Sequence, residues 1–154
     1  MTRFISATVL LLLMSAPPVR AQDAGQFGIV MKAQFIPQVG ITWHVTNRLQ
    51  IRLSGYGEGD GENIIDFGEA FIGNVAVFYR FLIDDDLASY VGQDLMRSTF
   101  SDETFLGLIF GSQYQLHERF GVFGEVGFSV RVEDEIDNLR MFNTGAGVVF
   151  YLNE

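Results

Sequence analysis

The sequence predicts an all-β protein: eight antiparallel strands in up-and-down order, closed into a transmembrane β-barrel and preceded by a cleaved signal peptide. Three observations carry that expectation. Apolar and polar residues alternate with period two through most of the chain after Gln22, and no stretch there holds a helical period for long. The connections between these stretches are short and long in turn. The composition is also unusual for a water-facing surface, with one lysine (Lys32) in 154 residues, alongside 17 Gly, 15 Phe and 3 Pro.

The first element is Met1–Ala21, MTRFISATVLLLLMSAPPVRA. Arg3 gives a positive start and Ile5–Met14 a short apolar run. Val19-Arg20-Ala21 leads to a cleavage site before Gln22. The apolar run is too short to span a bilayer comfortably, so it reads as a signal to be removed rather than an anchor. Removing it takes away Arg3 and Arg20 and leaves residues 22–154, a more acidic chain, as one barrel domain.

The strands follow in order. Gln26–Phe35 is the first and Gln38–Thr46 the second. In the second, Val39, Ile41, Trp43 and Val45 share one face, and Gln38, Gly40, Thr42, His44 and Thr46 the other. Leu49–Glu58 sets Leu49, Ile51 and Leu53 against Gln50, Arg52, Ser54 and Tyr56. Ala70–Leu82 continues the rhythm. Ala88–Arg97 alternates poorly. It is included because Tyr90 and Gly92 sit in a strand-like setting and because an even count puts both chain ends on one side of the barrel. Thr104–Leu116 follows. Phe120–Glu133 is the clearest strand: Phe120, Val122, Val126, Phe128, Val130 and Val132 oppose Gly121, Phe123, Glu125, Gly127, Ser129, Arg131 and Glu133. Leu139–Leu152 is the last. Thr46–Arg48, Ile83–Asp86 and His117–Arg119 are short turns at one end. Gly57–Glu69, Ser98–Glu103 and Asp134–Asn138 are longer, acidic connections at the other, where Ile36-Pro37 is a tight exception.

Whole classes of function are excluded. A net charge of −9 opposes a nucleic-acid partner, because phosphate binding needs a basic footprint. With no cysteine there is no disulfide framework, thiolate metal site or cysteine nucleophile. His44 and His117 are the two histidines, and neither has a serine and an acid at a recognisable catalytic spacing. The sequence therefore predicts no enzyme, no cofactor and no metal centre.

Alternation does not say whether the apolar face points inward or outward. Lysine scarcity favours outward. So do the amphipathic aromatics, since Trp43, Tyr79, Tyr90 and Tyr114 all fall near the short-turn ends of their strands. That placement predicts an aromatic girdle at a membrane–water boundary.

On these residues the chain resembles the small eight-stranded outer-membrane barrels, the porin-like group that includes the OmpA-type membrane domain and the OmpX type. The most specific piece is Asn143–Phe150, NTGAGVVF, which resembles their C-terminal assembly signal: a polar residue, glycine two later, then spaced apolar and aromatic residues. Such chains usually stop on an aromatic residue, whereas this one continues Tyr151-Leu152-Asn153-Glu154. The resemblance implies an outer-membrane location. It also implies lipid, lipopolysaccharide and the outer-membrane assembly machinery as partners, and a monomer.

With the apolar face outward, the polar face fills the lumen. Eight strands leave room only for side chains, so interior charges must pair. Glu125 and Asp94 are expected to pair with some of Arg52, Arg80 and Arg131. Asp60, Glu62 and Asp66 make a candidate cation-binding loop, because clustered carboxylates can take Ca²⁺ or Mg²⁺. The expected function is structural or surface-interactive: envelope integrity, adhesion or lipopolysaccharide contact. The alternatives are a narrow solute channel and a soluble periplasmic ligand-binding barrel with its faces reversed.

Overall fold

A computed structural model describes residues 24–58, 70–84, 86–132 and 139–152. Four expectations lie outside the described residues: the signal segment Met1–Ala21, the carboxylates Asp60, Glu62 and Asp66, the acidic run Glu133–Asp137, and Asp85.

Eight strands form one closed barrel. They are β1 (Phe27–Ala33), β2 (Gln38–His44), β3 (Leu49–Glu58), β4 (Ala70–Asp84), β5 (Leu87–Ser98), β6 (Glu103–His117), β7 (Phe120–Arg131) and β8 (Leu139–Tyr151). Each pairs antiparallel with its sequence neighbours, and β8 returns to β1 in the register Gly28↔Tyr151 to Ala33↔Ala146. Closure satisfies the edges that an open sheet would leave unpaired.

Strand lengths depart from the sequence expectation on one flank. β1 and β2 have seven residues each, while β4 and β6 have 15. Pro37 bears on the end of β1. It has no N–H to give to a ladder and holds the residue before it out of the helical region, so β1 and β2 pair no further than Lys32↔Gln38. β2 starts at Gln38 as expected and is short because it ends at His44 and not at Thr46. β5, the least regular segment of the sequence, is a full strand with unbroken pairing to β6 from Leu87↔Tyr114 to Ser98↔Glu103. Its alternation is masked because Tyr90 points inward and Gln93 outward.

Apolar side chains cover the outside. Ile41, Leu53, Val75, Val77, Leu106, Phe110, Val126 and Phe128 are all exposed. Thr42, His44, Gln50, Arg52, Arg80, Asp94, Gln113, Glu125 and Ser129 are all buried inside. The faces are therefore those of a barrel dissolved in lipid, not of one dissolved in water.

Inside, bulk on one strand faces glycine on the next. Phe78 pairs with Gly92, Tyr90 with Gly111, Asp94 with Gly107 and Phe123 with Gly147. A Cβ added at any of these four glycines would overlap its large partner. Gly124 is different: it points outward, and an added Cβ would meet nothing within 4 Å.

In the turn between β5 and β6, Asp102 has φ 55°. Its short polar side chain tolerates that left-handed conformation, and its carboxylate takes an ion pair from Arg97.

Candidate functional site

The barrel interior is the candidate site, and it has two layers. The central layer is built on Glu125 of β7. Arg52 Nη1, from β3, donates to Glu125 Oε1 at 2.6 Å, and Tyr90 Oη, from β5, donates to the same oxygen at 2.8 Å. Lys32 Nζ, from β1, sits 2.7 Å from Glu125 Oε2. One carboxylate thus ties four strands together. The Arg52 guanidinium is also held between two rings, with Cζ 4.6 Å from the centroid of Phe78 and 4.6 Å from that of Phe123. Phe78 meets Tyr90 edge-on at 5.1 Å. Stacking and a charge-assisted hydrogen bond together suit a planar guanidinium, and a lysine ammonium could not make both.

The space left at this level is about 10 Å³, lined among others by Lys32, Arg52, Asn74 and Glu125. That is roughly one water-sized sphere, so the central layer is a plug.

The second layer closes the short-turn end. His44 Nε2 and Tyr151 Oη are 2.9 Å apart, and Gln113 Nε2 donates to Tyr151 Oη at 2.9 Å. Arg80 Nη1 lies 3.4 Å from His44 Nδ1. A guanidinium can only donate, so Nδ1 is the acceptor and Nε2 carries the proton toward Tyr151. Gln50 Nε2 donates to Thr42 Oγ1 at 2.7 Å beside them.

The residues singled out from sequence divide accordingly. Arg52 and Glu125 meet directly. Asp94 forms no ion pair among the described residues; its Oδ2 accepts from Asn74 Nδ2 at 2.7 Å instead. Arg80 lies in the lower layer beside His44. Arg131 pairs with Glu103 near the long-loop rim, not with the central acids. The partners that sequence reasoning missed are Lys32 for Glu125, and Tyr90 and Tyr151 as buried hydroxyls. Parity was the available signal, since Tyr151 is in phase with the interior residues Val149 and Gly147.

Tyr90 is a correction. It is 1 % exposed and belongs to the lumen, not to an aromatic girdle, because it shares the inward parity of Ala88, Gly92 and Asp94. Trp43 and Tyr114 do point outward near the short-turn end, at 47 % and 46 % exposure. Tyr79 is partly exposed there and accepts a hydrogen bond from Arg48 Nη1 at 3.0 Å. At the opposite mouth, Phe35, Ile36, Pro37, Tyr56, Ile72 and Phe100 line an apolar hollow of about 320 Å³.

No protein-family model and no curated protein matches the sequence. Solved structures do match the fold. A structure described as a de novo design of transmembrane β-barrels aligns with a TM-score of 0.62 at 12 % identity, covering 86 % of this chain and 99 % of that one. The N-terminal β-barrel domain of Pseudomonas aeruginosa OprF aligns at 0.59 and 16 % identity, over 86 % of this chain and all of the other. The designed barrel TMB2.3, solved by NMR in solution, aligns at 0.53 and 10 % identity, over 86 % and 98 %. The chain therefore has the fold of the small eight-stranded transmembrane barrels, with an outward apolar surface and a closed, polar, charge-paired interior.

Proposed function

We propose that this chain is an integral outer-membrane protein that anchors a surface of loops, exported with Met1–Ala21 removed. Its role is structural or interactive: envelope integrity, adhesion or contact with lipopolysaccharide. The observation that carries this reading is an apolar outer wall around a plugged polar lumen. A wall of Ile, Leu, Val and Phe is stable in hydrocarbon, where closure pairs every strand edge. A lumen filled by Arg52, Glu125, Lys32, Phe78 and Phe123 leaves no room for a ligand or a stream of solute. Trp43, Tyr79 and Tyr114 mark the boundary of the apolar wall on the short-turn side, which is the periplasmic side in this reading. Lipid and the assembly machinery are its general partners, and a monomer suffices because the barrel closes on itself.

The test is fractionation of native cells, with the envelope run unboiled and boiled on a denaturing gel. Recovery in the outer membrane with a heat-dependent mobility shift is expected. Recovery in the soluble periplasmic fraction would overturn the proposal. Conductance in planar bilayers is expected to stay at the lipid baseline, whereas steady unitary currents would favour a narrow channel instead.

A further inference from the structure

The β1–β8 seam is the one pairing in the barrel without a hairpin to set its register, because it joins the first strand to the last. It is also short, since β1 has seven residues. A one-residue slip there is rejected by alternation, because it would turn outward side chains of β8 such as Val148 and Phe150 into the lumen. A two-residue slip is not. It keeps Val148 and Phe150 outside and Gly147 and Val149 inside, so alternation cannot reject it.

We propose that Tyr151 is the residue that rejects the two-residue slip, acting as a register latch for barrel closure. In the native register Tyr151 faces Gly28 across the seam. Its ring lies over that glycine, where an added Cβ would come within 3.1 Å of Tyr151 Cδ1. Its hydroxyl reaches past β1 to His44 on β2 and past β7 to Gln113 on β6, each at 2.9 Å. His44 also meets the Tyr151 ring edge-on, with centroids 5.4 Å apart. Both Tyr151 and His44 are fully buried. The backbone beyond Phe150 is engaged as well: Tyr151 N donates to Arg119 O at 2.9 Å and Leu152 N to Phe27 O at 2.8 Å. Sliding the seam by two toward the short-turn end would carry Tyr151 away from β2 and leave His44 buried without it. Sliding it the other way would drive the ring into the level of Val149, beside Phe123. The residues after Phe150, which look like a departure from an assembly signal, thus have a structural use.

The absence of cysteine makes the register directly readable. Ile29 and Phe150 are outward-facing native partners. The pair Ile29→Cys with Phe150→Cys reports the native register. Ile29→Cys with Val148→Cys, or with Leu152→Cys, reports the two slipped ones. After assembly and mild oxidation, the otherwise native chain is expected to cross-link only through the native pair. With Tyr151→Phe added, the ratio of slipped to native cross-link is expected to rise on the order of tenfold, the effect of losing the buried hydrogen bond to His44 that crosses the seam. Met31→Ala, which trims the exposed outer face of the same seam without touching the buried cluster, is expected to leave the ratio unchanged. An unchanged ratio in Tyr151→Phe, or an equal rise in Met31→Ala, would overturn the proposal. Should Tyr151→Phe fail to insert, His44→Leu removes the partner across the seam with Tyr151 in place. A rise in the slipped ratio there supports the latch, and no rise refutes it.

Discussion

Glu125 concentrates the cost of the interior in one carboxylate. Of its partners, Arg52 is buried with it and Lys32 is partly buried, so removing the acid leaves two cations without their counter-charge. Glu125→Gln is expected to destabilise the barrel by about 3–5 kcal/mol, the usual cost of breaking a buried pair from one side. Denaturant unfolding in detergent, followed by loss of the heat-dependent gel shift, measures it. Arg52→Lys tests the two rings: it keeps the charge but loses the flat surface between Phe78 and Phe123, and a lower unfolding midpoint is expected. At this scale the sequence was partly legible. Parity alone puts Arg52, Arg80, Asp94 and Glu125 on one wall. It does not say which of them meet, because that depends on how far neighbouring strands are staggered up the barrel. Asp94 shows the difficulty, being inward like Glu125 yet served by Asn74. Tyr90 shows a second one, since an amphipathic aromatic near a strand end suits an interfacial girdle and a hydrogen-bonded lumen equally well.

Among the elements, strand existence was more legible than strand length. Seven segments alternate clearly, and the eighth, β5, is a complete strand whose pattern is blurred by two inversions. β1 stops short of Phe35, because a ladder needs an N–H that Pro37 lacks, and β2 ends at His44, two residues before its alternation does. The pairing of large side chains with glycines across the ladder was hidden altogether, since it depends on register and not on either strand alone. It makes a sharp prediction. Gly92→Ala, Gly111→Ala and Gly147→Ala each push a methyl into Phe78, Tyr90 or Phe123, and a loss of about 1–3 kcal/mol is expected for each. Gly124→Ala puts the same methyl into open space outside the barrel and is expected to change stability by less than about 0.5 kcal/mol. Parallel unfolding curves for the four variants check the contrast. Equal effects at all four positions would mean that the glycines serve something other than packing.

For the whole molecule, the outer wall sets the environment the barrel requires. Val77 and Val126 lie in mid-strand on that wall. Val77→Arg or Val126→Arg is expected to cost about 2–4 kcal/mol in a bilayer. The same change on a water-facing surface would be nearly neutral, so unfolding of each variant in lipid vesicles separates the two environments. Trp43 is the protein's single tryptophan and lies at the short-turn end of β2. Its fluorescence in vesicles is expected to be quenched more by lipids brominated near the headgroup than by lipids brominated near the chain terminus. The reverse order would move the membrane boundary away from the short turns.

The uneven wall has a further consequence. Seven residues at about 3.3 Å each, inclined near 45°, climb only roughly 16 Å. The 15-residue strands β4 and β6 climb about twice that, and a typical hydrocarbon layer is about 30 Å thick. In the membrane proposed for it, the annulus of lipid around this cylinder therefore cannot have one height. Beside β1 and β2 the bilayer must dimple, or the cylinder must lean to share the shortfall, at a cost of a fraction of a kcal/mol for each ångström of mismatch. The molecule thus has a front and a back in the plane of the membrane, and a thin-sided flank is where shorter-chained lipids would collect.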